Sequence, residues 1–260
     1  MRVAAEFRDA LRRLGWRDCG DVVRYFVGDA VPPQTVTVTP AQLPLSDGAS
    51  VAVFFKLYAY PAGSWRFWAR ASKARREFES YEVFQRLGIR AATAIACGEE
   101  RDALGRLRRA FILTQAVPDA MPLESFVLTH CPNRRRAEHR RLREALLRQL
   151  AGATRRIHEA GFFHHDLVWR NILVTREGEG GAQVWWIDCP RGRFDRWSPW
   201  RERRRLRDQA SLDKVASAVC ARAERVRFVL LYLERARLDA AAKRLIRAVE
   251  RYRRRRWPED

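Results

Sequence analysis

Apolar positions along the chain repeat with two different periods, and the switches between them outline the expected elements. Phe7, Ala10, Leu11 and Leu14 fall at helical spacing ahead of Gly15, which predicts an amphipathic helix over 3–14. Residues 22–27 (VVRYFV) and 35–39 (TVTVT) read as strands, the second from its strict alternation. A stretch rich in Pro and small polar residues, 40–50, predicts a loop before a third strand over 51–58. A Trp-containing connector, 61–68, leads to a helix over 73–87 closed by Gly88, with Phe78, Tyr81, Val83, Phe84 and Leu87 as its apolar stripe. Two more strands, near 94–98 and 110–114, flank a basic turn, and 115–122 predicts a Pro-punctuated crossing. Beyond it the pattern turns helical. A long helix over 136–160 points Leu142, Leu146, Leu150 and Ile157 inward, and three closing helices are expected over 202–220, 222–235 and 238–255.

One stretch inside the helical half breaks that pattern. Residues 158–188 read HEAGFFHHDLVWRNILVTREGEGGAQVWWID. Gly161 supplies a left-handed helix stop, and a polar group follows, His164-His165-Asp166, with Asn171 five residues after the Asp. Two short apolar strands, 172–174 and 184–187, joined by a Gly-rich turn, deliver Asp188 at their end. Two carboxylates and a carboxamide are therefore expected close together. Taken singly, Asp166 and Asn171 would be turn residues and Asp188 a strand terminator; their joint spacing is what suggests chemistry. Lys56 is a second anomaly, a lysine inside the apolar run VAVFFKLY. A compact ammonium on a strand suits phosphate contact, and an edge-strand lysine that limits aggregation is the alternative.

Composition narrows the setting. The chain has 260 residues, 47% of them apolar, enough for one domain or one bilobal domain. Five scattered cysteines without a C-x-x-C pair argue against a disulfide framework and a zinc site and suit a reducing compartment. Charges interrupt the first fifteen residues too often for a secretory leader, and no apolar run approaches the length of a bilayer span. A cytosolic protein, or one attached to a cytosolic membrane face, is expected. Lys and Arg outnumber Asp and Glu by 51 to 31, a net charge of +20, which suggests a polyanionic partner. Only four of the basic residues are lysines (Lys56, Lys73, Lys214, Lys243), so a compositional preference for Arg accounts for the choice of cation, though not for the surplus. The C-terminal RYRRRRW reads either as a membrane-binding cluster or as a solvated tail.

The spacing H-x-D-x-x-x-x-N followed by a strand-ending Asp resembles that of protein-kinase-like enzymes. The resemblance implies roles: Asp166 as the catalytic residue beside the acceptor hydroxyl, Asn171 and Asp188 as Mg²⁺ ligands against the phosphates of ATP, and Lys56 as the strand lysine that meets phosphate. It also implies a helix carboxylate paired with Lys56. Among Glu77, Glu79 and Glu82, helical phase puts Glu77 on the side of Tyr81 and Phe84, so Glu77 is expected there. Phosphoryl transfer depends mainly on positioning and charge neutralisation, and this set is close to a minimal one.

More narrowly, the chain resembles the lipopolysaccharide core kinases, the Kdo/heptose kinase group of the WaaP/InaA type. The likeness rests on FFKLYAYP (54–61), RREFESYEVFQRLGI (75–89), HEAGFFHHDLVWRNILV (158–174), WWIDCPRGRF (185–194), LRDQASLDKVASAV (206–219) and RVRFVLLYL (225–233). It implies a bilobal α+β fold: an N-terminal antiparallel sheet lobe with one main helix, 1–115, and a mostly helical lobe carrying the catalytic loop, 116–260. It further implies an ATP- and Mg²⁺-dependent kinase acting on a Kdo or heptose hydroxyl of the inner core, in peripheral contact with the anionic cytoplasmic face of the inner membrane. Basic and Trp-bearing stretches near 61–70 and 191–205 suit such an interface, although tryptophans also serve ordinary packing. The chain departs from the wider kinase pattern in three places: it has no G-x-G-x-x-G loop, reads Asp188-Cys189-Pro190 for Asp-Phe-Gly, and lacks an A-P-E element. A soluble kinase of the aminoglycoside or choline type is one alternative, disfavoured by the positive charge, and a catalytically dead kinase-shaped binding module is another. A nucleic-acid partner would rest on charge alone.

Overall fold

A computed structural model describes residues 1–28, 36–45, 48–61, 67–178, 180–195, 197 and 199–258. Two compact units form: residues 1–83 with 92–117, and residues 84–91 with 118–260.

The first unit is built on a five-stranded antiparallel sheet. Its strands are β1 (Arg2–Val3), β2 (Val36–Pro44), β3 (Ser50–Ala59), β4 (Ala94–Arg101) and β5 (Leu107–Gln115), in the order β1-β4-β5-β3-β2. The strand carrying Lys56 is interior, between β2 and β5, with Lys56 opposite Val38 and Ile112. The edge-strand explanation for this lysine therefore fails. Much of the stretch expected to be a loop, 40–50, is strand instead: β2 runs through Pro40 to Pro44. Proline is tolerated there because β2 lies at the sheet edge, where a missing N–H costs no ladder bond. Residues 46 and 47 of that expected loop, Thr35 of the expected strand, and 62–66 of the Trp-bearing connector lie outside the described residues.

Residues 22–27, expected as a strand, lie in helix α2 (Cys19–Val27). Asp18 and Asp21 cap it reciprocally, Asp18 Oδ1 accepting from Asp21 N and Asp21 Oδ2 from Asp18 N. Cys19, Val22, Val23, Phe26 and Val27 recur at helical spacing, and packing that face on the sheet overrides the strand preference of the valines. The expected N-terminal helix is shorter, α1 (Arg8–Arg13), because Arg2–Val3 pairs with β4. Phe7, Leu11, Trp16, Val22, Phe55 and Phe111 share one buried core. Helix α3 (Lys73–Arg86) starts at Ser72, whose hydroxyl accepts from Arg75 N at 3.0 Å.

The second unit is mainly helical: α4 (Leu123–His130), α5 (Ala137–Glu159), α6 (Arg201–Val219), α7 (Arg222–Leu233) and α8 (Ala240–Arg256). Helix α4 falls just beyond the stretch expected as a plain crossing. Short strands interrupt the helices. β6 (Met121–Pro122), β8 (Ile172–Glu177) and β9 (Gly181–Trp186) form a three-stranded sheet, while β7 (Phe162–Phe163) pairs with β10 (Arg193–Phe194). The C-terminal arginines are helical, not a tail. Arg253 is buried on α8, its Nε 3.1 Å from Asp213 of α6, which also takes a bidentate contact from Arg225 of α7.

Candidate active site

In the first unit, strand and helix phase bring Lys56 and Glu77 together. Lys56 Nζ lies 3.3 Å from Glu77 Oε2, with the lysine side chain 15% and the carboxylate 3% exposed. A carboxylate this buried costs several kcal/mol unless it is paired and hydrogen-bonded. Tyr58, two residues on and therefore on the same strand face, donates its hydroxyl to the same oxygen at 2.7 Å. Helical phase separates the three candidate glutamates as expected, since Glu79 and Glu82 meet Arg2 at 3.3 and 2.7 Å. Tyr58 was not singled out from sequence. Its only signal is the i, i+2 relation to Lys56.

In the second unit, α5 stops at Gly161, whose φ of 76° favours glycine, and the chain enters β7. His164, His165 and Asp166 follow directly. Asp166 is half-buried, and its backbone carbonyl accepts both from Asn171 Nδ2 at 2.9 Å and from Val168 N at 2.9 Å. The carboxamide of Asn171 thereby closes the loop on itself. Asn171 O in turn accepts from Ile187 N at 3.0 Å, which fixes the residue before Asp188 against the same loop. His165 and Asp188 both adopt positive φ, 64° and 55°. Such backbone costs about 1–3 kcal/mol at a non-glycine residue and persists only where the surroundings impose it.

The surroundings are supplied by α6. Asp208, fully buried, accepts from His164 N and His165 N at 2.8 Å each, one per carboxylate oxygen, and lies 3.3 Å from His158 Nε2. One turn further along α6, the carbonyl of Leu212 accepts from Trp169 Nε1 at 2.9 Å. Burial opposes the charge on Asp208, but the His158 contact and the neighbouring histidines outweigh it, so its carboxyl stays below the ordinary range. Burial pushes the His165 imidazole down to about 4 and lowers His164, which is caged by Phe84 and Trp186. Both rings are neutral near pH 7. The sequence signal for Asp208 is slight: it is one of two acidic residues, with Asp213, in the quoted segment 206–219.

Two half-buried carboxylates and a carboxamide are hard oxygen donors, the type Mg²⁺ prefers. Among the described residues, no three His, Cys, Asp or Glu side chains gather as a self-sufficient metal site. Mg²⁺ does not ask for one, since it is commonly held by one or two carboxylates together with phosphate and water.

A family model described as the lipopolysaccharide kinase (Kdo/WaaP) family matches residues 62–232. The chain belongs to that family. As a lipopolysaccharide kinase it is a phosphotransferase that acts on an alcohol group. The matched span takes in Glu77, Asp166, Asn171, Asp188 and Asp208, and begins after Lys56. Among solved structures, one titled "WaaP in complex with acyl carrier protein" is 22% identical over 98% of this chain and 99% of that chain, with a TM-score of 0.71. The fold is thus protein-kinase-like, with an antiparallel N-terminal sheet and a helical C-terminal part. No curated protein sequence matches the chain.

Proposed function

We propose that this lipopolysaccharide kinase transfers the γ-phosphoryl group of ATP to a Kdo or heptose hydroxyl of the inner core, while attached peripherally to the anionic cytoplasmic face of the inner membrane. One observation carries the reading: Asn171 closes the loop of Asp166 and receives the residue before Asp188, so three oxygen-bearing side chains lie on one buried hydrogen-bonded frame. In this reading Asp166 orients the acceptor hydroxyl and takes its proton as the oxygen attacks the γ-phosphorus, while the bond to the β,γ-bridging oxygen breaks and ADP leaves. Asn171 and Asp188 would hold Mg²⁺, which neutralises phosphate charge when bound. Lys56, steadied by Glu77 and Tyr58, offers its ammonium to nucleotide phosphate. Pre-set positions matter here because phosphoryl transfer leaves little covalent work to the protein.

The test is transfer from labelled ATP to core oligosaccharide released from lipopolysaccharide, with phosphorylated sugars located by mass spectrometry. Asp166→Asn should lower kcat by roughly 10²-fold or more, as loss of a general base does. Asp188→Ala should raise the Mg²⁺ concentration needed for half-maximal rate while leaving the fold intact, and Asn171→Ala should do the same while also loosening the loop that its buried carboxamide closes. Normal turnover and normal Mg²⁺ dependence in either metal-site variant would overturn the assignment. Transfer only to cationic small molecules would overturn the substrate class.

A further inference from the structure

The segment after Asp188 carries an unusual surface. Phe194, Trp197 and Trp200 are 48%, 95% and 57% exposed. Exposed arginines surround them: Arg191 and Arg193 before, Arg201 and Arg203 after, with the Arg203 guanidinium 5.7 Å over the Trp200 ring. The acids of the segment are engaged, Asp195 with Arg204 and Glu202 with Arg205. The patch is therefore aromatic and cationic at once. An indole left almost wholly in water gains nothing from the fold; its ring and N–H suit the headgroup layer of a bilayer, where one end is apolar and the other wet.

The same segment is tied to the loop of Asp166. β10 pairs with β7, Arg193 opposite Phe163 and Phe194 opposite Phe162, immediately before His164. Asp195 N donates to Gly161 O at 2.7 Å, and Arg201 Nη2 to His158 O at 3.0 Å. The aromatic patch and the candidate catalytic loop are thus parts of one hydrogen-bonded assembly.

We propose that Phe194, Trp197 and Trp200, with Arg191, Arg193, Arg201 and Arg203, form the face by which this unit sits on an anionic lipid leaflet, and that docking there presents a lipid-borne acceptor to Asp166. The second half of this statement rests on the lipopolysaccharide-core reading above. Charge complementarity selects the occupant: four exposed guanidinium groups favour an anionic surface, and the aromatic side chains favour one they can enter rather than a rigid acidic protein. No helix among the described residues is long and apolar enough to cross a membrane, so attachment through this face is peripheral.

The experiment is flotation with phosphatidylcholine vesicles and with vesicles containing phosphatidylglycerol, at low and physiological salt. It compares the wild type with a Trp197→Ser/Trp200→Ser double variant and with Arg191→Gln/Arg193→Gln/Arg203→Gln. Wild-type protein should float with the phosphatidylglycerol vesicles, less so as salt rises, and far less with phosphatidylcholine alone. The tryptophan variant should partition at least about tenfold more weakly, the expectation for withholding one large apolar side chain from lipid. Its rate on membrane-embedded lipopolysaccharide should fall in step, while its rate on released core oligosaccharide and its thermal melt stay at wild-type values. Both variants floating as the wild type does would overturn this face as the contact and leave membrane attachment standing. A wild type that floats with neither vesicle, or equally with both, would overturn the anionic-leaflet occupant, while turnover on released oligosaccharide would still uphold the kinase reading. Loss of that soluble turnover in the tryptophan variant would overturn the docking role in favour of direct acceptor binding.

Discussion

Asp208 offers the sharpest test of how the loop of Asp166 is held. Its two carboxylate oxygens accept from three donors, His164 N, His165 N and His158 Nε2, and the side chain is fully buried. Asp208→Asn keeps the shape but turns one oxygen into an N–H₂, so one backbone donor then faces another donor. A buried donor left unpaired costs about 1–3 kcal/mol. Asp208→Ala orphans both backbone N–H groups, and the same arithmetic gives about 2–6 kcal/mol. Against a typical total of about 5–15 kcal/mol, the alanine variant approaches unfolding, so the asparagine variant is the informative one. Urea unfolding should show a lower midpoint at an unchanged slope. Amide exchange at His164 and His165 should quicken selectively, because their acceptor is the group altered. Phosphotransfer per folded molecule should also fall, by up to about 10²-fold if the loop shifts by an ångström. An Asp208→Asn protein with wild-type midpoint and wild-type exchange at those two amides would refute the anchoring argument. Lower stability with unchanged turnover per folded molecule would confine Asp208 to the fold.

Two further expectations follow from buried charge. His165 has its folded pKa pushed down to about 4, so between pH 6.5 and 4 the unfolded chain takes up a proton that the folded chain refuses. Stability is therefore full above about pH 6.5 and declines as pH falls toward 4, by as much as about 3 kcal/mol, and His165→Gln should flatten that part of a stability-versus-pH curve measured in urea. Arg253, buried against Asp213, should also behave unlike its neighbours. Arg253→Ala empties a buried position and removes one of the two guanidinium contacts of Asp213, which keeps Arg225, and should cost about 1–3 kcal/mol, whereas Arg255→Ala, exposed on the same helix, should stay within about 0.5 kcal/mol in thermal or urea melts. Equal effects at the two positions would show that α8 is not held through Arg253.

Where an element or a pairing depends on a few neighbouring residues, the sequence alone determined it. The long helix α5, its stop at Gly161 and the two strands that deliver Asp188 were legible because periodicity and one glycine specify them locally. The choice of Glu77 over Glu79 and Glu82 needed only helical phase, a property of one helix. Local spacing also anticipated that Asp166, Asn171 and the residue before Asp188 share one hydrogen-bonded loop, since five residues and one hairpin separate them. What escaped was decided by packing between distant segments. Valine-rich α2 is a helix because its apolar face lies on the sheet, and Pro40 sits in a strand because β2, among the described residues, is the outermost strand of its sheet. Arg253 belongs to the interior only because Asp213, on another helix, meets it. Asp208 lies 44 residues from the first amide it binds, and no local pattern specifies such a bond. A buried carboxylate is tolerated only where folded backbone supplies its donors, and those donors converge only once α6 has packed against the loop.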